Sequence, residues 1–500
     1  MFRTVLIANR GEIARRIAGT LRVMGIRSVA VFSEADRGAL HTRAADDALP
    51  IGAPEPGASY LRAEALLEAA RRAGADAIHP GYGFLAENAA FAAAVEAAGL
   101  TFIGPTPEQV RTLGDKRSAR ALAERAGVPV VPGAEGADPA ALQRAAKSLG
   151  LPVIVKAAFG GGGKGMQVVE REEDLGAALD SARRLAVSAF GDATLYLEKR
   201  LERARHVEVQ IFGDGRGGAI HLFERDCTLQ RRHQKVVEES PSPVLDERRR
   251  RALTDAAVAL AREARYRGAG TAEFLLAPDG RFYFLEINTR LQVEHPVTEA
   301  VTGLDLVRLQ LEVAAGGALP LRQEDVVRRG HAIEARLYAE DAAHGFLPQA
   351  GRAERVRWPS APFVRVDAGI ESGDAVPVHY DPILAKVIAS GADRTAAIER
   401  LAAALDDTLV HGVITNLPFL RALARSREVA EGRFDTEWVE REFLAGFSAL
   451  AMAPAPELAL AAAALAERLL VAPGGTGRTG AEAVPDPFTT LGRWRLPGLG

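Results

Sequence analysis

The sequence has very little cysteine and no long apolar run. Cys227 is the one cysteine among 500 residues, so neither an intrachain disulfide nor a cysteine-rich metal site can form, and a reducing, cytoplasmic location is expected. The most apolar stretch, residues 450–471, contains two prolines and three charged residues, whereas a membrane-spanning helix needs about 20 apolar residues. The apolar run at residues 5–8 is too short for a signal peptide. We therefore expect no membrane role.

An excess of charge of either sign is also missing. The chain has 62 basic and 65 acidic residues and a net charge of -3, which offers no surplus for binding a nucleic acid or an anionic membrane surface. Apolar residues make up 48% of the sequence and charged residues 25%, as in globular proteins. The length predicts about three domains of about 150 residues each.

Lysine is scarce beside arginine, since only 7 of the 62 basic residues are lysines. Six of the seven lie in one region: Lys116, Lys147, Lys156, Lys164, Lys199 and Lys235. A lysine ammonium is a compact point charge that suits a phosphate oxygen or a small anion, so this clustering indicates a region that handles phosphate. Chance placement on the surface is the alternative, above all for Lys147.

Short apolar runs alternate with helical patterns over the first hundred residues. Strand, helix, strand, helix and strand are predicted in turn at residues 5–8, 11–24, 28–32, 61–72 and 77–78. This alternation is typical of a parallel α/β sheet. Residues 81–86 fit the dinucleotide-binding pattern G-x-G-x-x-A, but no acidic residue follows about 20 positions later in a second strand. A nicotinamide-dependent dehydrogenase stays an alternative.

A run of glycines interrupts the lysine-rich region between a predicted strand at residues 153–156 and another at residues 166–169. The run, residues 160–165, is not a P-loop, because that pattern needs glycine where this chain has Ala158 and serine or threonine where it has Gly165. Backbone N–H groups without neighbouring Cβ atoms can close over a polyphosphate, so we predict a mobile glycine-rich lid. A passive flexible loop is the alternative.

Polar side chains recur at every second position near residue 290. They are Glu286, Asn288, Arg290, Gln292 and Glu294. An extended chain would project all five to one side of a sheet, which would bring carboxylates, amides and a guanidinium together. A solvated outer strand is the alternative.

The segment 278–280, Pro-Asp-Gly, is a turn signal between two strand-like runs. A two-residue loop would place Glu273 opposite Glu286, and a three-residue loop would shift the register by one. Like charges directly opposite each other destabilise a sheet by up to about 1 kcal/mol. A divalent cation between them would remove this repulsion, and oxygen ligands from Glu273, Glu286 and Asn288 suit Mg2+ or Mn2+ that bridges nucleotide phosphates.

Two further segments carry ionisable side chains. His206, Glu208 and Gln210 alternate along a predicted strand and would share one face. Residues 230–235 concentrate positive charge beside two glutamates, which favours anion capture inside a cleft. A solvated surface turn is the alternative.

These segments together resemble the biotin carboxylase family of ATP-grasp ligases, from about residue 1 to residue 445. The matching motifs stand in the family's order at residues 8–14 (ANRGEIA), 79–85 (HPGYGFL), 114–116 (GDK), 160–166 (GGGGKGM), 224–227 (ERDC), 230–237 (QRRHQKVV) and 286–296 (EINTRLQVEHP). Gln167 departs from the family pattern, which commonly has arginine after the methionine.

The resemblance implies an α/β protein with three domains and a tail. Residues 1–113 would form an N-terminal Rossmann-like domain that precedes the ATP-grasp fold. Residues 114–329 would form the ATP-grasp domain, with the mobile glycine-rich lid at about residues 130–205. Residues 330–445 would form a C-terminal α+β domain, and residues 446–500, which are rich in alanine, proline and glycine, would begin a linker domain.

The resemblance also implies an activity. Biotin carboxylases convert ATP and bicarbonate into carboxyphosphate, which carboxylates biotin on a carrier domain in the first half-reaction of an acyl-CoA carboxylase. The cofactors implied are ATP and Mg2+ or Mn2+, with two ions, and biotin is a substrate rather than a group attached to this chain. Phosphoryl transfer of this kind requires charge neutralisation by metal ions and lysines.

The family's site residues carry over motif by motif. The ATP site would comprise Lys116, Lys156, Gly161, Gly162, Gly163, Met166, Glu198, Lys199, Leu201, His206, Gln230, His233, Leu275, Glu273 and Glu286. The metal ligands would be Glu273, Glu286 and Asn288. Bicarbonate and biotin would contact Lys235, Arg290, Gln292, the backbone of Val293, Glu294, Arg336 and Tyr82. Glu294 would be the base, Arg336 would stabilise the biotin enolate, and Lys235 and Arg290 would complete the catalytic set.

The expected partners follow from the missing biotin attachment site, because no lysine here is flanked by methionine. The carrier would be a separate protein or domain, joined by a carboxyltransferase subunit, and a homodimer or larger complex is expected. Two other functions remain open: another ATP-grasp ligase that joins an acyl phosphate to an amine, and a non-catalytic subunit that only docks a partner.

Overall fold

The structure of the chain, a computed structural model, describes residues 1–157, 167–190, 193–319 and 321–451. The predicted lid residues Gly161, Gly162, Gly163 and Met166 lie outside these ranges, as does the predicted tail from residue 452 onward. No helix among the described residues is long and apolar enough to cross a bilayer.

The first part of the chain forms a five-stranded parallel sheet in the order β3-β2-β1-β4-β5. Its elements are β1 (Thr4–Ile7), α1 (Gly11–Val23), β2 (Arg27–Ser33), α2 (Leu40–Ala44), β3 (Asp47–Gly52), α3 (Ala63–Ala73), β4 (Ala77–His79), α4 (Ala89–Ala97), β5 (Thr101–Phe102) and α5 (Pro107–Gly114). Thr106 caps α5 through a capping box with Gln109, and Pro107 occupies its first turn. The predicted parallel α/β arrangement is confirmed.

A small antiparallel sheet in the order β6-β9-β7-β8 follows. Its elements are α6 (Lys116–Arg125), β6 (Gly133–Gly136), α7 (Pro139–Leu149), β7 (Val153–Ala157), β8 (Gln167–Val169), α8 (Leu175–Phe190) and β9 (Leu195–Lys199). Helices α7 and α8 pack on this sheet through a shared apolar core. The strands that flank the glycine run, β7 and β8, are antiparallel neighbours.

An eight-stranded antiparallel sheet, β14-β13-β10-β11-β12-β15-β22-β20, forms the centre of the described chain. The chain that supplies its first half contains β10 (Arg205–Asp214), β11 (Ala219–Arg231), β12 (Gln234–Ser240), α9 (Glu247–Glu263), β13 (Arg267–Leu276), β14 (Phe282–Asn288), α10 (His295–Thr302) and α11 (Leu306–Ala314). The five strands belong to the sheet, and the three helices lie outside it. Helix α9 packs against β10 and β11, and buried side chains fill the space between them.

The second half of this sheet comes from the C-terminal region. The elements there are β15 (His331–Tyr338), β16 (Glu340–Asp341), β17 (Leu347–Pro348), β18 (Gly351–Arg352), β19 (Arg355–Arg357), β20 (Val364–Ala368), β21 (Ala375–Val376), β22 (Ile383–Gly391), α12 (Arg394–Asp407), β23 (Leu409–His411), α13 (Leu417–Ala424), α14 (Arg427–Glu431) and α15 (Leu444–Ala451). Because β12 pairs with β15, one sheet crosses the predicted boundary at residues 329 and 330. The domain limits themselves stay predictions.

The β13–β14 hairpin places Glu273 opposite Glu286, as predicted, but its loop length differs from that of the two-residue loop and a β-bulge restores the pairing. Near the turn Leu276 pairs with Phe282, and the N–H of residue 277 donates to the carbonyl of residue 281 at 2.8 Å. The loop therefore has three residues instead of two. A β-bulge at Leu285 then shifts the register back by one, because Phe274 pairs with Phe284.

The predicted extended run through residue 294 is wrong beyond residue 288. Strand β14 ends at Asn288, and residues 289–294, which we call the site turn, bend toward α10. Glu294 precedes the first residue of α10, and Pro296 lies in its first turn, a position that suits proline. The polar side chains therefore meet from both sides of a bend rather than along one strand face.

Candidate active site

Lys235 lies at the centre of a cluster of buried carboxylates. Its Nζ is 2.6 Å from Glu208 Oε2, 2.9 Å from Glu273 Oε1 and 2.6 Å from Glu294 Oε1. These three acids come from β10, β13 and the site turn, so Lys235 on β12 joins segments that are distant in sequence. Burial alone would lower the pKa of Lys235, but the three carboxylates outweigh burial and hold that pKa well above its usual value.

Glu294 connects Lys235 to Arg336. Its second oxygen, Oε2, accepts a hydrogen bond from Arg336 Nη2 at 3.0 Å, and Arg336 also pairs with Glu238. Burial would raise the pKa of Glu294, but Lys235 and Arg336 outweigh burial and keep that pKa below its usual value. Glu294 is therefore ionised near neutral pH and is able to accept a proton.

Glu238 shows the opposite balance, because burial dominates there. Burial, opposed by Arg336 and reinforced by Glu294, raises the pKa of Glu238 to about 7. Glu238 also lies directly opposite Glu334 across β12 and β15. This second pair of facing acids was not predicted.

The facing acids of the β13–β14 hairpin suit a divalent cation. Glu286 is partly exposed, and Lys116 Nζ lies 3.9 Å from its Oε2. Burial, followed by the charge of Glu273, raises the pKa of Glu286, so a repulsion remains that a cation would relieve. Both acids offer the oxygen ligands that Mg2+ and Mn2+ prefer. Asn288 donates its Nδ2 to Glu273 Oε1 at 2.9 Å and turns its oxygen toward Arg290.

The site turn presents donors suited to a small oxyanion. Gln292 Nε2 donates to Glu273 Oε1 at 2.8 Å, and Arg290 Nη2 donates to Asn288 Oδ1 at 3.0 Å. Among the residues that the structure describes, no acceptor contacts the backbone N–H of Val293 or of Glu294. Successive backbone N–H groups of this kind form anion-binding concavities.

Arg225 is a site residue for which the sequence predicted no role. Its guanidinium is fully buried, and it donates five hydrogen bonds of 2.6 to 3.0 Å. The acceptors are Glu208, Gln210, Thr271, Gln292 and Thr298. Arg225 thus links β10, β13, the site turn and α10. Its place between two acids in the sequence of β11 was the available signal.

Glu87 is a second such residue. Its Oε2 accepts from Arg290 Nε at 2.8 Å, and its Oε1 accepts from the N–H of Thr289 at 3.0 Å. Glu87 directly follows the glycine motif at residues 81–86. The loop after β4 therefore holds the start of the site turn, although the two segments are about 200 residues apart in sequence.

Several of the residues predicted to bind the nucleotide lie on the small four-stranded sheet and on the eight-stranded sheet. Lys156 Nζ donates to Glu198 Oε2 at 2.7 Å, and His206 on β10 lies opposite Leu275 on β13. Burial would lower the pKa of His206, but Glu273 outweighs burial and raises that pKa to about 9. Lys199 instead donates to the carbonyls of residues 150 and 151 at 2.9 and 2.8 Å.

The segment 230–235 divides between the core and the surface. Gln230 lies opposite Lys235, while Arg232 and His233 form the exposed turn between β11 and β12. The predicted role in a cleft therefore fits Lys235, and the alternative of a solvated turn fits Arg232 and His233. Leu201 follows β9 and is partly buried. Gln167 donates its Nε2 to Ser181 Oγ on α8 at 2.8 Å.

Tyr82 and the glycine motif lie next to Asn9. Asn9 Nδ2 donates to the carbonyls of Pro80 and Tyr82, both at 2.7 Å. Gly81 has a φ of 62°, and a Cβ there would lie 2.8 Å from Asn9 Nδ2, so only glycine allows this contact. The glycine therefore serves the packing of two loops, which gives no support to a dinucleotide site.

Three family models match the chain in order. They are described as "Biotin carboxylase, N-terminal domain" over residues 1–110, "Carbamoyl-phosphate synthase L chain, ATP binding domain" over residues 115–322 and "Biotin carboxylase C-terminal domain" over residues 334–441. Biotin carboxylase of Pseudomonas aeruginosa is 49% identical over 445 residues, which cover 88% of this chain and 99% of that protein. The chain belongs to the biotin carboxylase family.

Other relatives are named as parts of larger carboxylases. The alpha subunit of methylcrotonoyl-CoA carboxylase from Oryza sativa is 51% identical over 441 residues, which cover 87% of this chain and 60% of that protein. The chain thus spans about three fifths of this relative's length. A pyruvate carboxylase subunit of Methanothermobacter thermautotrophicus is 47% identical over 451 residues, covering 90% of this chain and 91% of that protein.

Solved structures of biotin carboxylases share the fold. The Campylobacter jejuni enzyme, in a complex with a β,γ-ATP compound, has a TM-score of 0.84 and 43% identity, covering 88% of this chain and 99% of that one. The biotin carboxylase domain of Hydrogenobacter thermophilus 2-oxoglutarate carboxylase, a dimer with MgADP, ADP and bicarbonate, has a TM-score of 0.83 and 42% identity, covering 88% and 97%. The predicted family and the α/β fold are confirmed.

Proposed function

We propose that the chain catalyses the ATP- and bicarbonate-dependent carboxylation of biotin on a carrier domain, with carboxyphosphate as the intermediate. The arrangement that carries this proposal is Glu294, whose two carboxylate oxygens contact Lys235 and Arg336. A proton acceptor thus lies between the residue proposed to bind bicarbonate and the residue proposed to stabilise the biotin enolate. Family membership supports the same reaction.

The residues of the site would act one after another. Lys235, Arg290 and the backbone N–H groups of the site turn would bind bicarbonate and hold it beside Glu294. Glu294 would take the bicarbonate proton, which leaves an oxyanion able to attack the γ-phosphorus of ATP as ADP departs. In the second step the carboxyl group of carboxyphosphate would bond to the biotin nitrogen, the bond to the phosphate group would break and phosphate would leave with the nitrogen's proton. Arg336 would stabilise the negative charge that develops on the biotin ureido oxygen.

Glu273 and Glu286, with Asn288 in support, would hold Mg2+ or Mn2+ and possess the oxygen donors that the ion requires. A bound divalent ion would neutralise charge on the nucleotide phosphates. Two ions are expected by analogy with the family. The nucleotide roles carried over to Lys116, Lys156, Glu198, His206 and the other predicted residues form part of the same proposal.

The whole protein would work with a biotin carrier and a carboxyltransferase. This proposal rests on relatives that are named as carboxylase subunits. A homodimer is proposed because a relative's domain is described as a dimer. A cytoplasmic location stays a prediction, since several relatives are mitochondrial, and the absence of nucleic-acid partners also stays a prediction.

The test is ADP release by the purified chain with Mg-ATP, free biotin and varied bicarbonate. We expect ADP release to require bicarbonate and to fall by about 10²- to 10⁴-fold in Glu294→Gln, the range typical of a lost general base. Glu68→Gln, an exposed change on α3, is the matched control and should leave turnover unchanged. Turnover that depends on an amine instead of bicarbonate would favour another ATP-grasp ligase, and full activity of Glu294→Gln in an assembled complex would favour a docking subunit.

A further inference from the structure

The seventh lysine of the chain, Lys386, lies directly beneath the site turn. It is on β22, and its side chain is fully buried. Its Nζ donates to the backbone carbonyl of Val293 at 2.8 Å. A lysine ammonium buried away from water needs partners of this kind, because leaving it unpaired is costly.

Acidic residues from three segments surround Lys386. Glu12 Oε2 on α1 is 3.2 Å from its Nζ, and Asp367 Oδ2 on β20 is 3.8 Å away. Glu334 on β15 is also close enough to interact with the ammonium. Burial alone would lower the pKa of Lys386, but Glu12 and Glu334 outweigh burial and hold that pKa above its usual value. The ammonium therefore stays charged while it contacts the site turn.

Lys386 and Arg336 are direct neighbours across β15 and β22, so both side chains lie on the same face of the sheet. Arg336 contacts the carboxylate of Glu294, and Lys386 contacts the carbonyl of the preceding residue, Val293. Two adjacent cations thus hold two consecutive residues of the site turn. One holds the proposed base, and the other holds the peptide that bears its N–H.

We propose that Lys386 is a positioning residue for bicarbonate, which acts by fixing and polarising the peptide between Val293 and Glu294. A cation on a peptide oxygen draws electron density from the amide, so the N–H of Glu294 becomes a stronger donor. That N–H has no acceptor among the described residues and belongs to the concavity proposed to bind bicarbonate. The inference rests on the proposed function of this site.

The choice of lysine supports this role. The chain uses arginine for 55 of its 62 basic residues, yet a lysine stands here. An ammonium directs its three N–H bonds tetrahedrally, which suits one carbonyl and carboxylates that approach from different sides. A purely structural cation is the competing explanation, since Glu12 and Glu334 are buried carboxyl groups next to Lys386 whatever lies above them.

The test separates these explanations with two variants of the full chain. Lys386→Met removes the contact to Val293 but leaves Glu12 buried without its cation. Lys386→Met combined with Glu12→Gln removes the contact and also this buried carboxyl group, whose pKa burial, opposed by Lys386, raises to about 7. Steady-state ADP release with free biotin gives the KM for bicarbonate and the KM for ATP, and thermal unfolding gives stability.

We expect the double variant to unfold at a higher temperature than Lys386→Met and still to have a KM for bicarbonate raised about tenfold, or roughly 1.4 kcal/mol. The KM for ATP should change by less than about twofold, because the backbone of the site turn is proposed to bind bicarbonate, whereas ATP would lie against other residues. If Lys386→Met does not fold, the double variant alone carries the test.

Arg394→Met is the matched control, because Arg394 pairs with buried Glu239 but, within the described part of the chain, contacts no residue of the site turn. It should lose stability with the KM for bicarbonate unchanged. A double variant with the wild-type KM for bicarbonate would overturn the inference and leave the proposed function standing. A wild-type chain without bicarbonate-dependent ADP release would overturn the proposed function and this inference with it.

Discussion

Arg225 is the residue whose loss should damage both the fold and the site most. Its guanidinium is fully buried, and its Nε lies 2.6 Å from Glu208 Oε1. In Arg225→Met the carboxylate of Glu208 keeps only Lys235 and weaker neighbours, and Gln292 loses the donor to its side-chain oxygen. The side chain that remains cannot donate a hydrogen bond to any of them.

The expected loss follows from the chemistry of buried ion pairs. Removing one partner of such a pair costs about 3–5 kcal/mol, because an uncompensated charge stays buried. We therefore expect the free energy of unfolding of Arg225→Met to fall by about 3–5 kcal/mol. Adding Glu208→Gln should return part of this loss, since the stranded charge is removed.

Urea unfolding followed by circular dichroism and by tryptophan fluorescence measures this change, and the two signals together check whether the chain unfolds in one step. Arg281→Met is the control, because Arg281 forms an exposed pair with Asp279 whose loss should cost less than about 0.5 kcal/mol. A loss below about 1 kcal/mol in Arg225→Met would refute the reasoning.

Three further changes test other parts of the structure. In Glu87→Gln, Arg290 loses the carboxylate on its Nε, so the KM for bicarbonate in steady-state assays should rise about three- to tenfold; an unchanged KM would show that Arg290 needs no such partner. In Glu286→Gln, the Mg2+ concentration for half-maximal ADP release should rise about tenfold, while loss of repulsion from Glu273 stabilises the metal-free protein by up to about 1 kcal/mol; the same Mg2+ requirement as wild type would argue against this cation site. Burial lowers the pKa of His79 to about 3, below its unfolded value of about 6.5, so the unfolded chain binds a proton that the folded chain excludes. Stability should thus fall by about 1.6 kcal/mol as the pH drops from 6.5 to 5, and urea midpoints should show a smaller drop in His79→Gln; equal drops would contradict this.

The hairpin at residues 267–288 shows how far local sequence rules extend. The turn signal at residues 278–280 located the hairpin, but turn chemistry did not settle the loop length. The three-residue loop, one of the two lengths left open, and an unpredicted bulge at Leu285 cancel in the register and leave Glu273 opposite Glu286. Bulges depend on the twist and packing of neighbouring strands, which a sequence pattern does not contain.

The bend after Asn288 shows a second limit. Alternating polarity predicted a strand through residue 294, yet the alternation comes from side chains that each bind a partner across a bend. Pro296 marked a helix start close by and was the available signal for ending the strand earlier. The resemblance to a family grouped Lys235, Glu294 and Arg336, which are in contact in the structure, because it carries information about three-dimensional sites that periodicity lacks.

Glu87, Arg225 and Lys386 could not be predicted from spacing, since their partners are far away in sequence. Lys386 and Val293 are 93 residues apart, and Glu87 and Arg290 are 203 apart. Composition did hold one clue. Lys386 is the one lysine outside the cluster at residues 116–235, and it interrupts an otherwise apolar strand, where a charged residue needs a buried partner.

Lys235, which is partly buried, and Lys386, which is fully buried, show where a chain so rich in arginine uses lysine inside the fold. Lys235 contacts carboxylates from three directions, and Lys386 contacts a carbonyl and a carboxylate from different segments. A planar guanidinium pairs best with groups in its own plane, as Arg365 does with the two oxygens of Asp367. Where several acceptors converge on a single nitrogen, the compact ammonium fits, whereas the guanidinium of Arg225 distributes its donors among five separate acceptors.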